Sequence, residues 1–175
     1  KPSAPADPAT LLRRLHYDLT GLPPTAAELE QFAAHASDAE YEQAVDRLLA
    51  SPQFGERWGR YWLDVARYAD TKGYVFQEDR NYPTAYKYRD WVIAAFNADK
   101  PFDEFVREQV AGDVLARAGP PERYAARVTA TGCLAGGKRY GYNTNADYQH
   151  LDFADASESV GRSLLGLSLG CARCH

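Results

Sequence analysis

The sequence contains no methionine, only three cysteines and no long apolar run. Its longest nearly apolar stretch, 164–169, is far shorter than the roughly 20 residues that a membrane-spanning helix needs, so we expect no membrane-spanning segment. Positive charge is not in excess either, because the net charge is −4 and the sequence pI is near 5.6. Such a chain lacks the basic surface that binds nucleic acid or anionic lipid, and neither is expected as a partner.

The first residues also lack the hydrophobic core of a signal peptide, and the chain does not begin with methionine. We therefore expect a mature or excised piece of a larger polypeptide, with residues 1–7 as an extended lead. The composition, 45% hydrophobic and 13% aromatic, is typical of a globular domain that buries a sizeable core. At this length it predicts a single domain over residues 1–175.

Helical periodicity runs through most of the chain, and no stretch alternates apolar and polar residues with period two. Capping signals at Asp7, Thr25 and Ser37 mark the starts of the first three helices. The periodicity stops over 71–82 and 138–146, which we interpret as two long loops. The pattern predicts an all-α fold of about seven or eight short helices, the last of which continues into the C-terminal residues.

Two of the three cysteines stand in the C-terminal segment Cys171-Ala172-Arg173-Cys174-His175. Two cysteines at this spacing, followed directly by histidine, form the attachment signal of a c-type haem. On one helical turn both thiols project to the same side, where each can add to one vinyl group of a porphyrin. The motif predicts one haem c bonded to Cys171 and Cys174 at the C-terminal helix, with His175 as the proximal ligand of the iron.

The same cysteine spacing also occurs in zinc sites and in redox-active dithiols. A closed zinc site usually has four ligands, and a thioredoxin-like dithiol belongs near a βαβ pattern, which this sequence lacks. The remaining cysteine, Cys133, stands among apolar residues and is interpreted as a small core residue. Two thioethers and one leftover cysteine account for the odd number of cysteines, which favours haem.

The second axial ligand of such a haem is left open by the sequence. Without methionine, the candidate distal ligands in the chain are His150, beside a polar loop, and His16, beside the apolar stripe of the first helix. For His16 the alternative is a core histidine with a satisfied ring, and His35 is expected to face solvent. The distal position is equally open to water, tyrosine, lysine or a ligand from outside the chain.

The haem propionates are anionic and need cationic partners. Arg67 and Arg89, which stand beside aromatic residues, are the candidates for this role. The alternative for both is a salt bridge with a nearby aspartate, namely Asp64, Asp70 or Asp90.

Several short sequence blocks occur in a fixed order along the chain. They are LRRL (12–15) with DLTGLPPT (18–25), GERW (55–58), WLDVARYAD (62–70), YRDWVI (88–93), EQVAGD (108–113) and LGLSLGCARCH (165–175). In this combination the sequence resembles the planctomycete cytochrome c-like domain family, which is catalogued as of unknown function. The resemblance covers nearly the whole chain. It implies haem c and an extracytoplasmic protein, periplasmic or at the cell surface, that is commonly part of a larger multidomain polypeptide.

The leading functional hypothesis is a cytochrome domain that passes single electrons to a redox partner protein or to a neighbouring domain of the same polypeptide. A strong second axial ligand favours such transfer, whereas an open distal face lets small molecules bind and react. A haem enzyme or a small-ligand sensor is therefore the alternative, and a haem that only staples an interaction module is the third. Whether the protein is an enzyme depends on that distal face.

Overall fold

The computed structural model describes residues 4, 6–71, 82–136 and 146–174. These residues are largely helical and include no β-strand, which confirms the all-α prediction. The two predicted loops, apart from their ends, and part of the N-terminal lead lie outside the described residues. Within the same ranges, no helix combines the length and the apolar character that crossing a membrane requires.

The α-helices, in chain order, are α1 (Pro8–Leu19), α2 (Ala26–His35), α3 (Asp38–Leu49), α4 (Pro52–Val65), α5 (Tyr86–Asn97), α6 (Phe102–Ala118), α7 (Tyr124–Ala130), α8 (Gly132–Ala135) and α9 (Ala146–Val160). A short 3-10 turn at Pro121–Arg123 lies between α6 and α7. After α9 come a π turn at Gly161–Leu165 and a second 3-10 turn at Gly170–Arg173. Only Thr131 separates α7 from α8. Counted as one broken helix, the two bring the described total to eight, within the predicted number.

The chain divides into two compact units, and helices α4 and α5 contribute residues to both. One unit comprises residues 1–60 and 93–99, and the other comprises 61–92 and 100–175. Each unit has its own buried side chains, described separately below. The single domain expected over 1–175 stays a prediction.

In the first unit, α1, α2 and α3 bury a small apolar core formed by Leu12, Leu15, Phe32, Ala44 and Leu48. The three predicted caps are present. Asp7 Oδ1 accepts a hydrogen bond from the Thr10 amide at 2.9 Å, Thr25 and Glu28 form a reciprocal capping box, and Ser37 Oγ accepts from the Glu40 amide at 3.2 Å. These bonds satisfy amides that a helix leaves unpaired at its start, so each helix begins where its cap stands.

The first unit also contains a close approach between α4 and α5 at Gly55. The Gly55 amide donates to Asn97 Oδ1 at 2.7 Å, and Asn97 Nδ2 donates to the Pro52 carbonyl at 3.0 Å. A Cβ atom on Gly55 would lie 2.5 Å from the Ile93 carbonyl oxygen. Only glycine therefore fits at this crossing.

In the second unit, a buried amide holds aromatic side chains of three helices together. Gln109 Oε1 accepts hydrogen bonds from Trp62 Nε1 at 2.8 Å and from the Tyr88 hydroxyl at 2.6 Å, while Gln109 Nε2 donates to the Phe105 carbonyl at 3.2 Å. Burial raises the pKa of the Tyr88 hydroxyl, which therefore stays protonated as a donor. The side chain of Cys133 is buried in the same unit, as expected for a core cysteine.

A buried carboxylate connects α6 to the segment that follows it. Glu108, whose side chain is only 3% exposed, lies 2.8 Å from Lys100 Nζ, 3.2 Å from Arg123 Nη2 and 3.5 Å from Arg127 Nε. A buried charge needs such partners because the interior solvates it poorly. The cluster therefore belongs to the second unit, and it lies far from the C-terminal motif in the sequence.

Candidate functional site

The C-terminal motif does not lie on the last α-helix, so the prediction that this helix continues into the cysteines is wrong. Helix α9 ends at Val160, and a π turn carries the chain to Gly166. Gly166 adopts a left-handed backbone conformation with φ of 64°, which residues other than glycine rarely adopt. The chain reverses there, and the Leu167 amide donates to the Gly161 carbonyl at 3.1 Å.

Both cysteines of the motif belong to one tight turn beyond this reversal. The Ala172 amide donates to the Leu169 carbonyl at 3.0 Å, and the Cys174 amide donates to the Cys171 carbonyl at 3.2 Å. Cys171 and Cys174 are both exposed and neither forms a disulfide. Their thiols are therefore accessible to an incoming group, whereas His175 lies outside the described residues.

Three leucines that precede the cysteines are exposed. Leu165 is 64% exposed, Leu167 is 56% exposed and Leu169 is 38% exposed. Single exposed leucines are ordinary on protein surfaces, whereas these three stand in one short segment directly before the first cysteine of the motif. Among the described residues, the cysteines thus follow a short segment of exposed apolar side chains.

A cavity of about 450 Å³ lies between α9 and the cysteine turn. Its lining residues are Leu151, Ala154, Asp155, Ser157, Glu158, Leu169, Gly170 and Ala172. Ligand pockets in proteins commonly have volumes of roughly 300–1,000 Å³. The volume of this cavity falls within that range.

One carboxylate of α9 contacts the turn directly. Glu158 Oε2 accepts a hydrogen bond from the Leu169 amide at 2.6 Å, and Glu158 Oε1 accepts from Ser168 Oγ at 3.0 Å and from Arg162 Nε. The Arg162 guanidinium, together with these hydrogen bonds, holds the pKa of the Glu158 carboxyl below its usual range. The carboxylate therefore stays ionised at neutral pH.

The two candidate distal histidines differ in their surroundings. His150 lies on α9 and is exposed, one helical turn before Ala154, which lines the cavity. His16 is buried in the first unit, and its Nε2 atom has no hydrogen-bond partner among the described residues. Burial lowers the pKa of the His16 imidazole, which is therefore neutral at pH 7. His35 is exposed, as expected, with Nδ1 3.2 Å from the Gln31 carbonyl oxygen.

The candidate propionate partners both form ion pairs within the second unit. Arg67 Nη1 donates to Asp155 Oδ2 at 2.6 Å, which connects the end of α4 to α9. Arg67 also has a left-handed backbone with φ of 58°, and its buried Nε atom has no hydrogen-bond partner among the described residues. Arg89 is more exposed and donates from Nε to Oδ1 of its neighbour Asp90 at 2.9 Å.

The residues of the turn fit a covalently attached haem. Both thiols are accessible from one turn, and apolar side chains and a cavity adjoin them. Among the described residues no three His, Cys, Asp or Glu side chains lie close enough to hold a metal ion. A haem does not need such a cluster, because its porphyrin supplies four ligands and the protein supplies only axial ones.

Sequence reasoning missed the roles of Glu158 and Asp155. Glu158 and Arg162 form an i, i+4 ion pair, and their spacing is the one local signal that could have indicated it. The contact between Glu158 and Leu169, and that between Asp155 and Arg67, join residues far apart in sequence. No local pattern indicates them.

Comparison with known proteins gives one match. The model of a family described as PSCyt2, protein of unknown function (DUF1549), matches residues 1–175. No curated protein and no solved structure matches the chain. The match confirms the resemblance at the level of a protein family, whereas the planctomycete origin and the haem stay predictions.

Proposed function

The chain belongs to the PSCyt2 family of proteins of unknown function, and we propose that it is a c-type cytochrome domain that transfers electrons through one covalent haem. The observation that carries the proposal is the pair of accessible thiols, Cys171 and Cys174, in a single turn directly before His175. Two thiols must reach two vinyl groups of one porphyrin, so both have to be accessible in the same short segment.

Covalent attachment uses two free thiols of the protein, and the turn carries both. Cys171 and Cys174 would hold the haem through one thioether each, because addition of an S–H group across a vinyl double bond would form the sulfur–carbon bond without a leaving group. A disulfide between Cys171 and Cys174 would block both additions, and in this structure the two cysteines are free. His175, the next residue in the sequence, would supply an imidazole ligand for the iron.

The apolar surroundings of the turn support the same proposal. A porphyrin face is apolar, and covering Leu165, Leu167 and Leu169 with it is favourable by about 25 cal/mol for each Å² removed from water. We therefore expect the cofactor to cover these three leucines.

When bound, the haem supplies a one-electron iron couple, whose potential depends on axial ligands and nearby charges. His150 is the candidate distal ligand on α9, and His16 is the second candidate. Arg67 and Arg89 keep guanidinium donors beyond those used by Asp155 and Asp90, and are candidates for holding propionates. The partner is a redox protein or a neighbouring domain, in the periplasm or at the cell surface, as the sequence resemblance implies.

Absorption spectra of the purified protein, oxidised and reduced, test this function. We expect a six-coordinate low-spin spectrum that cyanide and carbon monoxide leave unchanged, because electron transfer is favoured by two strong axial ligands. A high-spin spectrum that shifts with either molecule would instead support the haem enzyme or sensor. A low-spin spectrum that cannot be reduced reversibly would leave only the structural role for the haem.

The spectrum also identifies the distal ligand. If His150 is that ligand, its replacement by alanine converts the low-spin spectrum to high-spin, and the matched His16→Ala variant keeps the low-spin form. The reverse result would assign the ligand to His16. If neither variant changes the spectrum, the ligand comes from another residue or from outside the chain.

A further inference from the structure

We propose that Glu158 is a positioning residue for the haem-attachment turn, and that it holds the two cysteines in place before the haem arrives. The inference rests on the proposed function. Its basis is that a single carboxylate on α9 binds both the backbone and a side chain of the segment that leads into Cys171.

Three hydrogen bonds lead in sequence order from α9 to the two cysteines. Glu158 accepts from the Leu169 amide, the Leu169 carbonyl accepts from the Ala172 amide, and the Cys171 carbonyl accepts from the Cys174 amide. The Leu169 amide lies two residues before the first thiol. Fixing it therefore fixes the start of the turn that carries both sulfur atoms.

The path is short because glycine allows the segment to approach α9 closely. A Cβ atom on Gly161 would lie 2.7 Å from Leu169 Cγ and 3.0 Å from the Leu167 carbonyl oxygen. Such distances leave no room for a larger residue without displacing the segment. Gly161 and Gly166 bring the chain back to α9, and Glu158 holds it there.

The Glu158–Arg162 ion pair does not account for this arrangement by itself. Arg162 is 69% exposed, whereas Glu158 is only 19% exposed, and exposed ion pairs contribute little to stability. The carboxylate points towards the turn, where an amide N–H and a hydroxyl both donate to it. Hydrogen bonds to a charged acceptor are stronger than neutral ones, so the two contacts with the turn are strong enough to hold the segment against α9.

The test compares three variants in cells that attach c-type haem. Glu158→Ala removes both turn contacts, and Glu158→Gln keeps one amide oxygen that can accept from Leu169. Arg162→Gln is the matched control, because it breaks the ion pair and leaves the turn contacts in place. Circular dichroism first establishes that each variant retains its helical content.

Two readouts separate positioning from general stability. In protein made without haem attachment, we expect the Leu169 amide of Glu158→Ala to exchange with solvent about tenfold faster than in the unmodified protein, as the loss of a charge-assisted hydrogen bond implies. In haem-attaching cells, covalent haem per chain should fall several-fold for Glu158→Ala. It should stay near the unmodified level for Glu158→Gln and Arg162→Gln.

Haem content in Glu158→Ala equal to that of the unmodified protein would overturn the inference and leave the cytochrome proposal intact. An equal fall in Arg162→Gln would overturn it as well, because the ion pair would then be the cause. If the unmodified protein itself takes up no haem, the proposed function fails and the inference fails with it.

Discussion

The N-terminal helices and the C-terminal segment are built in contrasting ways. Helices α1 and α3 bury Leu12, Leu15 and Leu48 in a common core, where Leu12 is only 1% exposed, and side-chain caps satisfy amides in the first turns of α1–α3. The segment after α9 instead exposes three leucines and two thiols, and a carboxylate and two glycines hold it in place. The first region is therefore stabilised by its own core, whereas the second leaves apolar side chains and thiols at the surface, where the proposed haem would cover them.

The largest expected effect concerns the thiols. Replacing Cys171 and Cys174 together by alanine should abolish covalent haem, because no thioether can form. Haem staining after denaturing electrophoresis measures the loss. Cys133→Ala is the matched control, since its buried thiol lies outside the motif and its removal should leave the stain in place. Porphyrin that remains on the denatured double variant would refute the attachment.

The next effect compares a buried with an exposed leucine in haem-free protein. Leu12→Ala should lower the free energy of unfolding by about 2–5 kcal/mol, because it leaves a cavity in a core that has little room to relax. Leu167→Ala should change it by less than about 0.5 kcal/mol, because that side chain is largely exposed. Urea denaturation measures both. Equal losses would show that the C-terminal leucine is already buried without a cofactor.

How much of this contrast the sequence reveals depends on the range of the interactions involved. The caps at Asp7, Thr25 and Ser37 bind amides three residues away, so a local pattern predicted them correctly. The predicted C-terminal helix was wrong because Gly166 reverses the chain and Glu158 binds an amide eleven residues away. Neither feature produces a periodic signal.

The candidate site shows the same limit. The cysteine spacing identified the motif, and two accessible thiols in one turn are compatible with it. The sequence could not show that Arg67 pairs with Asp155, because the two residues are 88 positions apart. It placed Arg89 beside Asp90 as one alternative, and that neighbouring pair is present.

A smaller loss of stability is expected when one glycine in each region is replaced by alanine. The two glycines are required for different reasons. Gly55→Ala should destabilise the protein by roughly 1–3 kcal/mol, because the added methyl group would collide with the Ile93 carbonyl. Gly166→Ala should cost about 1–2 kcal/mol through backbone strain alone, because no atom lies within 4 Å of its Cβ position. Thermal unfolding compares them. Haem content should fall only in Gly166→Ala, and a fall in Gly55→Ala alone would contradict the assignment of the turn.

The smallest effect is a pH dependence that belongs to the first region. Burial lowers the pKa of His16, so the folded state binds this proton less readily than the unfolded state. The contribution of neutral His16 to the free energy of unfolding is fully present above the imidazole pKa of the unfolded chain, about 6.5. It is lost as the pH falls below that value. Urea denaturation between pH 7.5 and 5 should therefore show a smaller loss of stability for His16→Gln than for the unmodified protein. His35→Gln, at an exposed position, is the control and should behave like the unmodified protein.

The most direct test of the central claim is the intact mass of the protein after production in haem-attaching cells, denaturation and thiol alkylation. The account predicts the mass of the chain plus one haem, with a single alkylated cysteine, Cys133, because the thiols of Cys171 and Cys174 are consumed as thioethers. A chain without porphyrin mass and with three alkylated cysteines would contradict it.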